Sequence, residues 1–220
     1  MRTKTNLNKL HILFYNFKSI GLSYFIPVIA MFIYIPVMLY LFYLHGNNDL
    51  DYAKYSIYAQ LQQVIPFFSI WWLIFALREY IEGKSKELLK VYKKSLMFDA
   101  IAIYLWYILH IALLIFILSI VFNDNLLAVL VLLIIQSSAF YSVAYFLMVI
   151  CQTISIPLLT ATVYEILFMF MDMNFANLSI IYRDNINSTA DILIIFSPIL
   201  LGSVLLFGIS NLIYRKQLIH

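Results

Sequence analysis

The chain has 220 residues, of which 64% are hydrophobic and only 11% are charged, and its formal net charge is +3. Its mean hydropathy is +0.93. A soluble domain is about half apolar and a quarter charged, so this composition excludes a protein that covers itself with a polar surface in water. Because the apolar residues form blocks of about twenty and do not alternate with polar ones, the sequence predicts membrane-spanning helices rather than a barrel.

Six apolar blocks follow one another, with no internal repeat and no linker, so residues 1–220 form one transmembrane domain. The predicted spans are 22–44, 61–77, 100–122, 126–150, 154–171 and 192–214. A tight polar turn, Asn123-Asp124-Asn125, makes the third and fourth spans a hairpin. We expect an all-α membrane protein of six transmembrane helices.

A segment before the first span has a different pattern. Residues 7–20 mix Leu10, Phe14 and Phe17 with Lys9 and Lys18. Such a mixture predicts an amphipathic helix that lies in the membrane interface.

The orientation follows from the lysines and arginines, which are enriched in cytoplasmic connections. Twelve of the fourteen fall before the first span, between the second and third spans, or after the sixth span. The other side holds only Lys54 and Arg183. This distribution places both termini in the cytoplasm, and it explains the basic residues without a nucleic-acid partner. Frequent Lys, Ile, Asn and Tyr favour an AT-rich genome, so we expect the cytoplasmic membrane of a bacterium.

Motifs for catalysis are absent from the sequence. It contains no Gly-rich phosphate loop, no His-Glu-x-x-His, no Gly-x-Ser-x-Gly and no cluster of acids at metal-ligand spacing. Cys151 is the single cysteine, which excludes an internal disulfide and a cysteine-based metal cluster. We therefore expect no catalytic residue, no metal site and no cofactor in this chain, and do not expect an enzyme.

The connection between the second and third spans is about twenty residues long and dense in charge. Gly83 interrupts it, and a helix-compatible run begins at Ser85, a residue type that caps helices, with Glu87 in the first turn. One interpretation is a basic anchor with a solvated helix. The other is a short helix that contacts a cytoplasmic partner through Leu88, Leu89 and Tyr92.

The pattern Arg-Glu-x-x-Glu-Gly-x-x-x-Glu-Leu-Leu in this connection resembles the membrane subunits of type-2 ABC transporters of the exporter kind. The resemblance extends to the topology of the whole chain. It implies that the connection is a coupling helix that docks on a separate cytoplasmic ATP-binding subunit, which holds ATP and Mg²⁺. It also implies a second permease copy, identical or a sister subunit. The coupling residues implied by the resemblance are Arg78, Glu79, Glu82, Gly83, Glu87, Leu88, Leu89 and Tyr92.

Polar residues inside the spans are a second group of candidates, because a polar group in hydrocarbon is costly unless it has a partner or faces water. They are Glu165, His110, Gln136, Ser138 and Ser142. One interpretation places them on a translocation path or at a subunit contact. The other is that they hydrogen-bond or pack between helices, as small polar residues commonly do.

These observations lead to an expected function. The chain is expected to be the permease subunit of an ABC exporter that moves an amphipathic cargo: a peptide such as a bacteriocin, a lipid or a hydrophobic drug, with a peptide favoured. Two alternatives remain open. One is a secondary carrier or channel, and the other is a membrane-embedded immunity or accessory protein.

Overall fold

A computed structural model describes residues 18, 20–84, 86–92, 95–170 and 189–217; the side chains of residues 90–92, 168–170 and 191 lie outside this description. The predicted interfacial helix at 7–20 and the proposed cap Ser85 fall almost wholly outside it. The helices are α1 (Gly21–His45), α2 (Leu50–Ile81), α3 (Lys86–Tyr92), α4 (Met97–Phe122), α5 (Leu127–Cys151), α6 (Ser155–Phe170) and α7 (Thr189–Lys216).

Among the described residues, five helices are long and apolar enough to cross a membrane: α1, α2, α4, α5 and α7. The described residues contain no strand. The chain is therefore an all-α, multi-pass membrane protein. Helix α6, in the region of the predicted fifth span, is apolar but has only 16 residues.

Helix α5 is the centre of the bundle, and it packs most extensively against α7 and α2. These three helices run in the same direction, because Gln62 of α2 bonds Gln136 of α5 near the middle and Glu82 bonds Thr153 at the end. Helix α7 follows the same order, from Ile192 beside the start of α5 to Gln217 beside its end. Helices α1 and α4 run in the opposite direction.

Helix α1 begins irregularly, and tryptophans of α2 stabilise this beginning. Pro27 has no N–H to donate to the carbonyl of Ser23, four residues earlier. The indole Nε1 of Trp71 donates to that oxygen at 3.0 Å. Trp72 donates to the next carbonyl, of Tyr24, at 2.9 Å, and its ring stacks on the Tyr24 ring with centroids 4.9 Å apart. The first turn of α1 is thus fixed to α2.

Pro198 and Pro36 also lie within helices. Pro198 lies inside α7, and it leaves the carbonyl of Ile194 without its usual helical donor. The hydroxyl of Ser197 donates to that oxygen at 3.1 Å. Pro36 lies just after a π-helical turn, Ala30–Tyr34. These local adjustments are the usual way in which membrane helices accommodate proline.

The predicted turn between α4 and α5 is present. Asn123 adopts a left-handed conformation with φ 50°, and its N–H and that of Asp124 donate to Ile120 and Ser119. This is a Schellman arrangement, which ends the helix sharply. Lys54 of α2 forms an ion pair with Asp124 and holds the turn against α2.

Helix α2 is longer than the predicted span 61–77. It begins at Leu50, where Asp49 caps it by accepting a hydrogen bond from the N–H of Asp51 at 2.9 Å. Its 32 residues extend about 48 Å, whereas the hydrocarbon core of a bilayer is about 30 Å thick. The helix therefore extends beyond the hydrocarbon.

The two ends of the bundle differ in charge. We call the end where α2, α5 and α7 finish the basic end. Its lysines and arginines with described side chains are Lys18, Arg78, Lys84, Lys86, Arg215 and Lys216. The opposite end has Lys54 as its one described lysine or arginine, together with Asp49, Asp51 and Asp124.

Candidate functional site

The site is the segment that joins α2 to α3 at the basic end, and its shape depends on Gly83. Helix α2 closes with a bond from the N–H of Glu82 to the carbonyl of Arg78 at 2.9 Å, and α3 opens with one from Lys86 to Gly83 at 3.1 Å. A Cβ at position 83 would lie 2.4 Å from the carbonyl oxygen of Glu79. The bend therefore requires glycine.

Glu82, just before this bend, is bonded to another connection of the chain. Its Oε1 accepts hydrogen bonds from the hydroxyl of Thr153 at 2.5 Å and from the N–H of Ile154 at 2.7 Å. The bond from Thr153 is the main cause that lowers the pKa of the Glu82 carboxyl, while desolvation, the second-largest cause, acts against it. The bond from Ile154 and the charges of Arg78 and Lys86 also lower this pKa.

The segment also surrounds a charged hollow of about 390 Å³. Its lining residues are Arg78, Glu79, Glu82, Gly83 and Lys84. The structure thus brings together four of the coupling residues implied by the resemblance, all four of them preceding α3.

Helix α3 presents two leucines in different ways. Leu88 is 61% exposed, and Glu87 beside it is also exposed. Leu89 is half-buried and packs against the hydrophobic core. Tyr92 belongs to α3, but its side chain lies outside the described residues. The exposed apolar surface of α3 that the structure describes is therefore Leu88.

Three of the polar candidates inside the membrane lie on α5. Gln136 is fully buried, and its Nε2 donates to Oε1 of Gln62 at 3.2 Å. Ser142 is buried and donates to the carbonyl of Ala139 at 3.0 Å. Ser138 donates to the carbonyl of Ile135 at 2.7 Å and lies 3.5 Å from the hydroxyl of Ser203 on α7. All three side chains make contacts within or between packed helices.

His110 lies elsewhere, on α4. Its Nδ1 is 2.9 Å from the carbonyl oxygen of Trp106, so Nδ1 carries the proton, because a carbonyl only accepts. The imidazole packs edge-on against the rings of Trp72 and Trp106, with centroids 5.0 and 5.1 Å away. His110 is thus part of an aromatic cluster between α2 and α4.

Glu165, the last of these candidates, is half-buried on α6. The adjacent Tyr164 packs edge-on against Phe140 of α5, with centroids 5.3 Å apart. The five polar candidates therefore occupy separate places on α4, α5 and α6. They do not form one cluster in the part of the chain that the structure describes.

Sequence reasoning missed the residues that complete the basic end. Gln152 donates to Gln217 at 2.8 Å, and Ser95 donates to Asn211 at 2.8 Å. Thr153, the partner of Glu82, was missed as well. The available signal was the short polar pair Gln152-Thr153 at the predicted cytoplasmic end of two apolar blocks.

Known proteins give no further assignment. No family model matches the chain, and neither a curated protein nor a solved structure matches it. No group of three or more His, Cys, Asp or Glu side chains is arranged to hold a metal ion within the described ranges. The resemblance to ABC permeases therefore depends on the residues quoted above and on the topology.

Proposed function

We propose that the chain is the permease subunit of an ATP-driven ABC exporter of type 2, located in the cytoplasmic membrane of a bacterium. It crosses the bilayer six times, with both termini in the cytoplasm. The observation that carries the proposal is a short charged helix at the basic end that exposes Leu88 while the segment leading to it is fixed to the bundle.

The direction of the helices supports six crossings. Helices α5 and α7 are parallel, so the chain must return to the opposite end between Cys151 and Thr189. Helix α6 is the described element in that interval. Its 16 residues extend about 24 Å, most of the hydrocarbon thickness. An even number of crossings puts both termini on one side.

The charge difference between the two ends supports the orientation. Lysine and arginine are enriched in cytoplasmic connections, so the basic end faces the cytoplasm. The α2–α3 segment is at this end, where a cytoplasmic ATP-binding protein can reach it.

The docking surface follows from Leu88 and its charged surroundings. The binding energy of protein contacts is concentrated in a few side chains that become fully desolvated inside a polar rim. On α3, Leu88 is the exposed apolar side chain that the structure describes for this role. The partner supplies ATP and Mg²⁺ and performs the hydrolysis. A second permease copy, identical or a sister, completes the transport path, and the cargo is amphipathic, with a peptide favoured.

Co-purification tests this proposal directly. Leu88→Asp is compared with Leu50→Asp, which changes a leucine of 44% exposure at the opposite end of the bundle. We expect an ATP-binding protein to co-purify with the wild type and with Leu50→Asp, but not with Leu88→Asp. Equal recovery with both variants would reject Leu88 as the anchor. No recovery with the wild type would reject the function.

A further inference from the structure

Glu82 connects two cytoplasmic segments that are far apart in the sequence. Thr153 and Ile154, whose donors converge on its Oε1, are 71 and 72 residues away. Glu82 is an exposed residue, yet this oxygen is held by the turn between α5 and α6. We call this pair of hydrogen bonds the Glu82 tie.

The α5–α6 turn is itself fixed on its other side. Gln152 adopts a left-handed conformation with φ 52°, and its Nε2 donates to Val149 at 2.7 Å and to Gln217 at 2.8 Å. Gln217 in turn donates to the carbonyl of Val149 at 3.3 Å. The turn is therefore anchored to the ends of α5 and α7, and the Glu82 tie joins α2 to this anchored unit.

The tie lies close to the starts of two helices. Helix α3 begins at Lys86, four residues after Glu82, and the N–H of Lys86 donates to the carbonyl of Gly83 at 3.1 Å. Helix α6 begins at Ser155, one residue after Ile154. A displacement of α3 therefore acts on the start of α6 through one carboxylate.

We propose that Glu82 is a positioning residue that joins α3 to α6, so that a protein bound to α3 shifts the start of α6. Glu82 then does not contact the bound protein, although it lies in the α2–α3 segment. This inference rests on the proposed function in one respect: the ATP-binding subunit is the protein that binds α3.

The first experiment measures the tie in the chain alone. The full chain in lipid nanodiscs is followed by amide hydrogen exchange at Ile154, whose N–H donates to Glu82. We expect Glu82→Ala to speed this exchange about tenfold, the size expected for loss of a hydrogen bond to a charged group. Thr153→Val has a smaller effect because the bond from Ile154 remains. The matched control is Glu79→Gln, an acid in the last turn of α2 that is not part of the tie.

Unchanged exchange in Glu82→Ala would overturn the inference. A rise of the same size in Glu79→Gln would also overturn it, because the effect would then reflect the general charge of the segment rather than the tie. Exchange at a core amide of α5 serves as the check that each variant is folded.

The second experiment measures transmission. Cys151, the single cysteine, is exposed at the end of α5, next to the anchored turn. A nitroxide spin label on Cys151 reports the mobility of this turn when the ATP-binding protein that co-purifies with the chain is added with ATP. We expect its spectrum to change in the wild type and to stay constant in Glu82→Ala, although Glu82→Ala still binds the partner.

The outcomes separate the two proposals. If the partner binds both proteins and the label responds equally, the inference fails and the proposed function stands. If the partner binds neither the wild type nor Glu82→Ala, the proposed transmission from α3 to α6 is rejected together with the proposed function. Amide exchange at Ile154 then shows whether the tie itself exists.

Discussion

The start of α1 offers a sharp test of the packing, because Pro27 and Trp71 act on the same carbonyl. Trp71 donates to the Ser23 oxygen that Pro27 leaves without a helical donor. Replacing Pro27 by Ala restores an N–H that competes for this oxygen. We predict that Trp71→Phe, which removes the indole donor, destabilises the wild type more than it destabilises the Pro27→Ala variant.

The magnitude follows from the environment of the carbonyl. An acceptor that loses its partner costs about 1–3 kcal/mol when buried, but Ser23 is half-buried and the N–H of Phe25 is also directed at its carbonyl. Hydrogen bonds between membrane helices average about 0.6 kcal/mol in double-mutant cycles. We therefore expect an interaction free energy of about 1 kcal/mol between the two substitutions. Phenylalanine at 71 keeps the contact with Phe75, whose ring centroid is 5.0 Å away.

The assay is unfolding in mixed micelles by titration with SDS, followed by circular dichroism because the substitutions change the fluorescence. Trp72→Phe is the control. Its acceptor, the Tyr24 carbonyl, keeps the N–H of Val28 as its helical donor, so its cost is not reduced by Pro27→Ala. Additivity of Trp71→Phe and Pro27→Ala within about 0.3 kcal/mol would refute the reasoning.

Three further predictions concern single contacts. Gly83→Ala places a Cβ against the backbone one turn earlier and should lower the free energy of unfolding by about 1–3 kcal/mol. Gly208→Ala should leave the free energy of unfolding unchanged, because a Cβ at that position meets nothing within 4 Å. Equal shifts of the melting temperature in Gly83→Ala and Gly208→Ala would contradict the predicted clash at position 83. Gln136→Leu removes a partner of the buried Gln62 and should lower the free energy of unfolding by about 1–2 kcal/mol. The double variant, with Leu at both positions 62 and 136, should recover most of this loss. A larger loss in the double variant than in Gln136→Leu would contradict the prediction. Because the folded pKa of Glu82 is depressed, its bonds contribute fully above the ordinary value of 4.5 and weaken as the pH falls through the lower folded value. A spin label on the single cysteine should therefore become more mobile in acid, and Glu82→Gln should remove this dependence; an unchanged titration in that variant would count against it.

The sequence predicts the apolar helices well because hydropathy is a local property. The turn at Asn123–Asn125 was predictable for the same reason, since left-handed residues and caps are encoded by neighbours. The early start of α2 was not predicted, because its first turns contain Asp51, Lys54 and Gln60 and fall below the hydropathy of a span. Helix formation there depends on the Asp49 cap rather than on apolar content.

The candidate site was predictable in part. The composition of the α2–α3 connection indicated Gly83 and the charges around it, but it did not show that Leu88 points outward and Leu89 inward. The Glu82 tie was beyond sequence reasoning, because the donors lie 71 and 72 residues away and nothing local specifies them. The indole donors of Trp71 and Trp72 at the start of α1 were also missed, because aromatic residues in membrane proteins are usually assigned to the interface.

The most direct test of the proposed function is ATP hydrolysis by a candidate ATP-binding protein, measured with and without the chain in lipid nanodiscs. The chain should alter the rate of hydrolysis, Leu88→Asp should abolish the effect, and Leu50→Asp should preserve it. If the rate is the same with the wild-type chain, with Leu88→Asp and with empty nanodiscs, the chain is not the permease subunit of that ATPase.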